Sequence, residues 1–210
     1  MISNSWRLAR LVVPLAALLA AGLTNQSSIA GVDLTPRFTD IFTEGVVQRR
    51  IYFSDGGKKF VLSLNRETEV LPDSGGALFR FSKFPDITFL MVRSRLSPDV
   101  KFEGSGLERY RESARALLPL QAASGQINEE AFDPLPVNGW KSYRINLSFF
   151  IGKVRYLQSV TFLNLNDTDQ IVLLTASPEK DFEEASVRSF HIIRTWQEML
   201  PSDEHATRKS

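Results

Sequence analysis

Apolar and polar residues alternate most regularly over residues 144–162. Because side chains on a strand alternate with a period of two, the pairing of two strands can be worked out from such a pattern. With Gly152-Lys153 as the two loop residues of a hairpin, Ile151 faces Val154. The further pairs predicted on this face are Phe149 with Tyr156, Leu147 with Gln158, Ile145 with Val160, and Tyr143 with Phe162. Nine of these ten residues are apolar or aromatic, so this face is predicted to lie in a core.

The other face of the hairpin is mixed. Its predicted pairs are Phe150 with Arg155, Ser148 with Leu157, Asn146 with Ser159, and Arg144 with Thr161. Such a face is open or only partly covered, and burial under a helix over Ser177–Trp196 is the simplest expectation. Gly152 at the first loop position favours a type II′ turn, which needs a positive φ there. The hairpin is therefore predicted to be a wall of the fold, or a docking surface if the mixed face is bare.

Other apolar segments predict further strands, separated by turns. The predicted strands are Val46–Phe53, Lys59–Leu64, Ala77–Lys83, Ile87–Ser94 and Gln170–Ala176. The predicted turns are Ser54–Gly57, Asp73–Gly76 and Asn164–Asp169, which are rich in residues that tolerate positive φ. Residues 31–45 have the pattern of a lead-in segment anchored by Phe38, Ile41 and Phe42. Residues 122–138 are predicted as a loop with at most one short strand.

Two helices are predicted. The first begins near Ser105, which stands with Glu108 in the spacing of a capping box. Its apolar face is predicted to contain Leu107, Tyr110, Ala114 and Leu117. The second begins at Ser177-Pro178 and ends at Pro201. Its buried side is predicted to contain Phe182, Ala185, Ser189, Ile193 and Trp196.

This order of elements predicts an α+β fold, in which helices pack on an antiparallel sheet. The predicted division of the chain is a cleavable secretory signal peptide over 1–30, the lead-in segment over 31–45, one α+β domain over 46–200 and a disordered tail over 201–210.

The first thirty residues have the three parts of a signal peptide. Arg7 and Arg10 precede an apolar run of 13 residues, Leu11–Leu23, and Ser28-Ile29-Ala30 supplies small residues at the cleavage positions. A membrane-spanning helix needs about 20 residues. An uncleaved anchor is the alternative interpretation, and a twin-arginine signal is not supported because the arginines are not adjacent. The sequence predicts a protein of the bacterial periplasm or exterior, without a stable membrane span after cleavage.

Charge and cysteine content exclude several kinds of site. Removal of residues 1–30 leaves 23 basic and 24 acidic residues, which argues against a nucleic-acid partner. The chain has no cysteine, so no disulfide, thiol nucleophile, thiolate metal site or lipidated cysteine can form.

The candidate catalytic residues are weak. His191 is expected to be a partly covered structural histidine, His205 lies in the tail, and neither has a partner at metal-ligand spacing. Ser105 is interpreted as a helix cap and not as a nucleophile, because Gly104-Ser105-Gly106 lacks the spacing of a nucleophile elbow. We therefore predict no catalytic residue, no cofactor and no metal ligand.

Charged clusters also have structural interpretations. Asn164, Asn166, Asp167 and Asp169 have oxygen ligands of the calcium type but lack the remaining parts of a hand-type loop, so a turn is expected. The pairs Glu129-Glu130 and Glu183-Glu184 are expected on the surface. The basic residues that could line a common strip are Arg49, Arg50, Lys58, Lys59, Arg93 and Arg95. Solvated strand and turn charges are the simpler interpretation.

The order of strand pairs, helix, long hairpin, strand and closing helix resembles the PsbP-like family. The resemblance covers about Tyr52 to Trp196 and is strongest where Thr175-Ala176-Ser177 leads into a helix with Phe182 near its start and Phe190-x-x-Ile193 later. It implies an α/β/α sandwich that binds or assists other proteins and is not an enzyme. The targeting peptide of the plant subunit and the lipid-bearing cysteine of bacterial lipoproteins are absent, and no functional residue carries over by position.

Three functions stay open at this stage. The first is an exported, non-catalytic domain that binds a protein partner, an envelope protein being expected. The second is a periplasmic carrier of a small ligand, with a pocket between sheet and helices that holds Phe, Tyr and a few converging polar groups. The third is an unrecognised hydrolase, which a strongly perturbed Ser or Asp in a deep cleft would support.

Overall fold

The computed structural model of the chain describes residues 31–43, 46–55, 58–64, 67–73, 75–97, 99–134 and 137–199. The predicted signal peptide, the predicted tail, His205 and Pro201 lie outside these ranges. The described residues form a larger and a smaller antiparallel sheet and two helices, which confirms the predicted α+β class.

The larger sheet has seven strands: β4 (Thr68–Asp73), β5 (Gly76–Phe81), β6 (Phe84–Arg93), β7 (Ala123–Phe132), β8 (Ser142–Ile151), β9 (Val154–Asn164) and β10 (Gln170–Pro178). Their order across the sheet is β4-β5-β6-β10-β9-β8-β7. The smaller sheet, which the sequence did not predict as a separate layer, has the order β1-β2-β3-β11. Its strands are β1 (Asp33–Thr43), β2 (Val46–Asp55), β3 (Lys58–Ser63) and β11 (Gln197–Glu198).

The two helices, α1 (Gly106–Ala116) and α2 (Phe182–Arg194), lie on opposite faces of the larger sheet. Val172 of β10 packs into the core under α1, whereas its neighbours Ile171 and Leu173 pack into the core that contains α2 and the smaller sheet. The alternation of side chains along one strand therefore separates two cores. No helix in the described ranges is long and apolar enough to cross a membrane.

The predicted hairpin is present in the predicted register. Ile151 pairs with Val154, and the pairing continues without a shift to Ser142 opposite Leu163. Gly152 has a φ of 60°, whereas Lys153 does not have a positive φ, and a type II′ turn requires this combination. The predicted core face is buried at its centre, with Phe149 and Phe162 fully enclosed, but the prediction is wrong beside the turn, where Val154 is 49% exposed. This face packs against α1.

The first and the middle segments of the chain contain more strand than was predicted. Residues 31–45, the predicted lead-in segment, contain β1, and Phe38 is half-exposed and is not an anchor. Among the residues there whose burial is described, Val32, Leu34 and Pro36 are buried. The predicted loop over residues 122–138 contains the ten-residue strand β7, an edge strand whose pairing with β8 has two irregularities.

The predicted capping box of α1 is wrong. Ser105 precedes the helix, but its backbone is already helical (φ −67°, ψ −17°) and its side chain makes no capping hydrogen bond. Glu108 instead pairs with Arg111 and Arg115 at 3.1 Å and 3.3 Å. The predicted apolar face is correct at its centre, since Tyr110 and Ala114 are fully buried.

The predicted bounds of α2 are also wrong. Strand β10 continues through Ser177 to Pro178, which pairs with Tyr156, and a 3₁₀ turn over Glu179–Asp181 follows before the helix begins. The helix ends at Arg194, well before Pro201. Pairing with β9 thus holds the Ser-Pro segment extended, although its sequence is typical of a helix start.

Trp196 joins the end of α2 to the smaller sheet. Its ring lies 5.5 Å from that of Phe53, 5.7 Å from that of Phe60 and 5.8 Å from that of Trp140, measured between centroids. Residues Gln197 and Glu198 then pair with β3 as β11. The chain after α2 is therefore fastened to the smaller sheet by side-chain and backbone contacts.

Candidate ligand-binding groove

The mixed face of the hairpin carries a polar strip across the larger sheet. Arg144 of β8 lies opposite Thr161 of β9, and Thr161 lies opposite Leu173 of β10. The next row places Ser159 opposite Thr175. Because paired residues on a common face lie about 5 Å apart, these side chains form a continuous surface. Hydroxyl and guanidinium groups are thereby brought together on the face that α2 approaches.

Helix α2 covers only part of this face. Its buried residues Ile192 and Ile193 share a core with Phe89 of β6 and Leu173 of β10, while the chains of β9 and β8 lie beyond its flank. A cavity of about 350 Å³ remains between the helix and the strip. It is lined by Phe89, Pro134, Arg144, Ser159, Thr161, Leu173, Thr175, Ser186, Val187, Ser189, Phe190 and Ile193. We call this cavity the α2 groove.

Two buried threonines give the α2 groove unsatisfied hydrogen-bonding groups. Thr161 and Thr175 are each only 5% exposed, and within the described part of the chain their hydroxyls make no hydrogen bond. The hydroxyl of Ser159 also makes no hydrogen bond in the described chain, and this residue is half-buried. By contrast, Ser189 donates from Oγ to the carbonyl oxygen of Ala185 at 2.8 Å. Because the described chain leaves these hydroxyls without a partner and they line the cavity, they are available to a ligand or to water.

Among the described residues that line the α2 groove, Arg144 is the only charged one. In the described ranges its ion pair is with Glu129, whose Oε1 lies 3.7 Å from Nη2, too far for a hydrogen bond. The other oxygen of Glu129 accepts a hydrogen bond of 2.8 Å from Asn146 Nδ2. The Nε of Arg144 is buried and has no acceptor. The guanidinium therefore retains donors that nothing else in the described chain uses.

The rim of the groove is apolar and exposed. On α2, the side chain of Val187 is 59% exposed and that of Phe190 is 36% exposed. For the apolar residues of the mixed face, the expectation of burial is correct for Leu163, which is fully buried, only partly met for Leu157, which is half-buried, and wrong for Phe150, which is 40% exposed. The physical reason is the position of α2 over β6 and β10, which leaves β8 and β9 uncovered.

The residues that the sequence offered as a calcium-type cluster form a turn. Asn166 Oδ1 accepts hydrogen bonds from the backbone N–H groups of Thr168 and Asp169 at 2.8 Å and 2.7 Å. Asp169 is 3% exposed and pairs with Arg93 Nη2 at 2.9 Å. Gly31 lies directly against this ion pair, since a Cβ at that position would overlap Arg93 Nη2 and Asp169 Oδ1. Among the described residues no group of His, Asp and Glu has the arrangement of a metal site.

The paired acids and bases serve separate contacts. Glu130 holds Arg111 through two hydrogen bonds of 2.6 Å and 2.9 Å, and this guanidinium lowers the pKa of the Glu130 carboxyl. Lys58 pairs with Glu198 at 3.3 Å, and Arg93 pairs with Asp169, so no common basic strip forms from them. His191 is exposed on α2, not partly covered as expected.

The sequence pointed to the face but not to the groove. It placed Arg144, Ser159 and Thr161 together on the mixed side, as the structure confirms. Thr175 was missed because it stands in an apolar run that gave no signal beyond a buried strand. Ser186 and Val187 were missed because the helix was expected to bury the mixed face of the hairpin. One feature of the sequence could have predicted the groove. Two hydroxyl residues, Ser159 and Thr161, occupy successive positions on one face of a strand, and an arginine lies opposite on the neighbouring strand.

No protein-family model matches the chain, and no curated protein matches it. Solved structures with a similar layout include a protein of unknown function from Pseudomonas aeruginosa, PA94, with a TM-score of 0.38 and 9% identity over 79% of this chain and 97% of that one. LpqN of Mycobacterium tuberculosis, which is involved in cell envelope biogenesis, has a TM-score of 0.42 and 11% identity over 79% and 92%. Cyanobacterial PsbP (CyanoP) of Synechocystis sp. PCC 6803 has a TM-score of 0.41 and 13% identity over 84% and 98%.

Because these three TM-scores are below 0.5, the similarity assigns neither a family nor a function to this chain. One of the three structures is a PsbP, but this match is distant, and so the resemblance to the PsbP-like family remains distant.

Proposed function

We propose that the protein is an exported, non-catalytic domain that binds a small ligand in the α2 groove. The observation that carries this proposal is the cavity itself. It is concave, it lies between sheet and helix, and it combines apolar walls with the free hydroxyls of Thr161 and Thr175. Its volume of about 350 Å³ falls at the lower end of the range of small-molecule pockets, about 300–1,000 Å³.

Binding is favoured over catalysis by the chemistry of the lining. No His, Asp or Glu occurs among the residues that line the groove, so the described site offers the hydroxyls no general base. Export rests on the signal-peptide pattern of residues 1–30, which lie outside the described ranges.

Filling the groove should abolish binding. Ser186 is half-buried on the groove side of α2, so Ser186→Trp is expected to occupy the cavity with an indole. With the uncharged fluorescent probe N-phenyl-1-naphthylamine, we expect saturable binding to the natural protein and a loss of affinity of about tenfold or more in the variant, equivalent to about 1.4 kcal/mol.

The matched control is His191→Trp, which adds the same side chain to an exposed position of the same helix that does not line the groove. It should bind the probe as the natural protein does. Equal probe binding by both variants, with unchanged circular dichroism, would contradict the assignment of the site.

A protein partner is the second candidate function, and a specific observation favours it. Phe150, Val187 and Phe190 are exposed apolar side chains on the α2 side of the larger sheet. Exposed apolar groups that share one side of a protein are typical of docking surfaces. Such a partner would contact the rim of the groove and not its floor.

Site-specific photo-cross-linking in the native host separates the two candidates. A benzoylphenylalanine at Phe150 or Phe190 is expected to capture one recurrent envelope protein if a partner binds to the α2 side of the larger sheet. The control position is Leu120, which is 78% exposed and follows α1 on the opposite side. The same set of products from all three positions would exclude a specific partner on the α2 side.

A further inference from the structure

We infer that the ligand of the α2 groove is a single-chain amphiphile with an anionic headgroup, bound by Arg144. This inference rests on the proposed function and adds the chemical class of the ligand. The cationic part of the groove lies on β8, and its apolar part lies on β6, β10 and α2, where the hydroxyl residues Thr175, Ser186 and Ser189 also line the cavity. Each part selects one end of a ligand.

The polar part is cationic. Arg144 is the sole charged residue of the lining, and its guanidinium is held by nothing stronger than a 3.7 Å ion pair with Glu129 in the described chain. A guanidinium presents several donors in one plane and matches the two oxygens of a carboxylate or the oxygens of a phosphate. Thr161, directly opposite on β9, is a residue that is 5% exposed, and it adds a hydroxyl that is unpaired in the described chain. These groups fit an anionic headgroup.

The apolar part lies towards β10, β6 and α2. Leu173, which is the next residue across the sheet from Thr161, begins it, and Ile193 and Phe190 of α2 continue it. Phe89 closes the floor. A hydrocarbon chain that leaves the headgroup at Arg144 would pass over Leu173 and under α2. Burial of such a chain stabilises the complex by about 0.8 kcal/mol for each methylene group.

The volume of the groove restricts the ligand to one chain. About 350 Å³ is near the minimum for a small-molecule site, so a two-chain lipid would leave most of its apolar surface in water. A free fatty acid and a single-chain phosphate ester share the required chemistry. The probes that represent them are decanoate and decyl phosphate.

Titration calorimetry of the purified protein with these probes, below their micelle concentrations, tests the inference. We expect decanoate or decyl phosphate to bind with one-to-one stoichiometry and more tightly than uncharged decanol. Arg144→Gln should weaken the anionic probe by about 10- to 100-fold, the range expected for lost hydrogen bonds to a charged group, and leave decanol unchanged. The anion that binds with the higher affinity identifies the headgroup as a carboxylate or a phosphate.

Two variants provide the controls. Arg155→Gln removes an arginine from the same face of the same hairpin, where it pairs with Glu179 outside the groove, and should leave both affinities unchanged. Arg144→Lys keeps the charge without the planar fork and should retain part of the anion preference.

The outcomes separate this inference from the proposed function. Decanol bound as tightly as the anions, or anions bound equally by the natural protein and Arg144→Gln, would overturn the anionic headgroup and leave the groove as a binding site. Failure of every decyl probe, together with unaffected naphthylamine binding in Ser186→Trp, would overturn both.

Discussion

Replacing Trp196 by alanine is expected to lower the free energy of unfolding by about 3–5 kcal/mol, as for other large buried aromatic residues. The side chain is 2% exposed and its ring meets those of Phe53, Phe60 and Trp140. Its removal would leave a cavity where the end of α2 meets the smaller sheet. Urea denaturation followed by circular dichroism measures the effect.

The control is Trp196→Phe, which retains an aromatic ring and should cost clearly less than the alanine variant. A loss below about 1 kcal/mol in the alanine variant, the size of an ordinary surface effect, would show that the ring cluster does not hold the two layers together.

Replacing Tyr110 by alanine is expected to have an effect of similar size, about 3–5 kcal/mol, at the opposite face of the larger sheet. Tyr110 is fully buried, and its ring lies 4.7 Å from Phe162 and 4.9 Å from Phe102. Together with Ala114, it packs α1 into the core between this helix and the larger sheet. The same denaturation experiment tests this prediction.

The hydroxyl of Tyr110 should contribute a separate part of this loss. It donates to the carbonyl oxygen of Val100 at 2.7 Å and accepts from Gln170 Nε2 at 2.9 Å. Burial raises the pKa of this phenol, so the donor is retained at ordinary pH. Tyr110→Phe should therefore cost about 1–3 kcal/mol, because the Val100 carbonyl loses its partner. A phenylalanine variant as stable as the natural protein would show that these hydrogen bonds contribute nothing net.

The sequence predicted an element correctly where one face of that element is buried and the other is exposed, because such an element has a strong local pattern. The hairpin of β8 and β9 was predictable to the residue, because nine of ten side chains on one face are apolar and Gly152 marks the turn. Strand β7 was missed for the opposite reason. It is an edge strand, most of its side chains are exposed, and two irregularities in its pairing interrupt the period of two.

Helix ends were mispredicted because other contacts, within the helix at α1 and between strands at α2, replaced the capping signals. Glu108 has the spacing of a capping residue but is engaged by Arg111 and Arg115. Ser177-Pro178 has the composition of a helix start but remains in the sheet beside β9. A sequence pattern reports what a segment can do alone, and neighbouring strands or charges then select among the possibilities.

The groove could be predicted only in part. The sequence brings Arg144 and Thr161 onto one face, since strand periodicity determines that relation. Whether the face is covered depends on the lateral position of α2, which is set by the packing of Ile192 and Ile193 over β6 and β10. That position follows from contacts between distant segments, and no local pattern contains it.

The position of Gly31 against the Arg93–Asp169 ion pair would connect maturation to folding if the predicted cleavage takes place. If the leader is removed after Ala30, Gly31 becomes the first residue and its amide becomes an ammonium group beside the buried carboxylate of Asp169. The precursor has only a neutral peptide group there. Processing would add a cation to the native state that the precursor lacks.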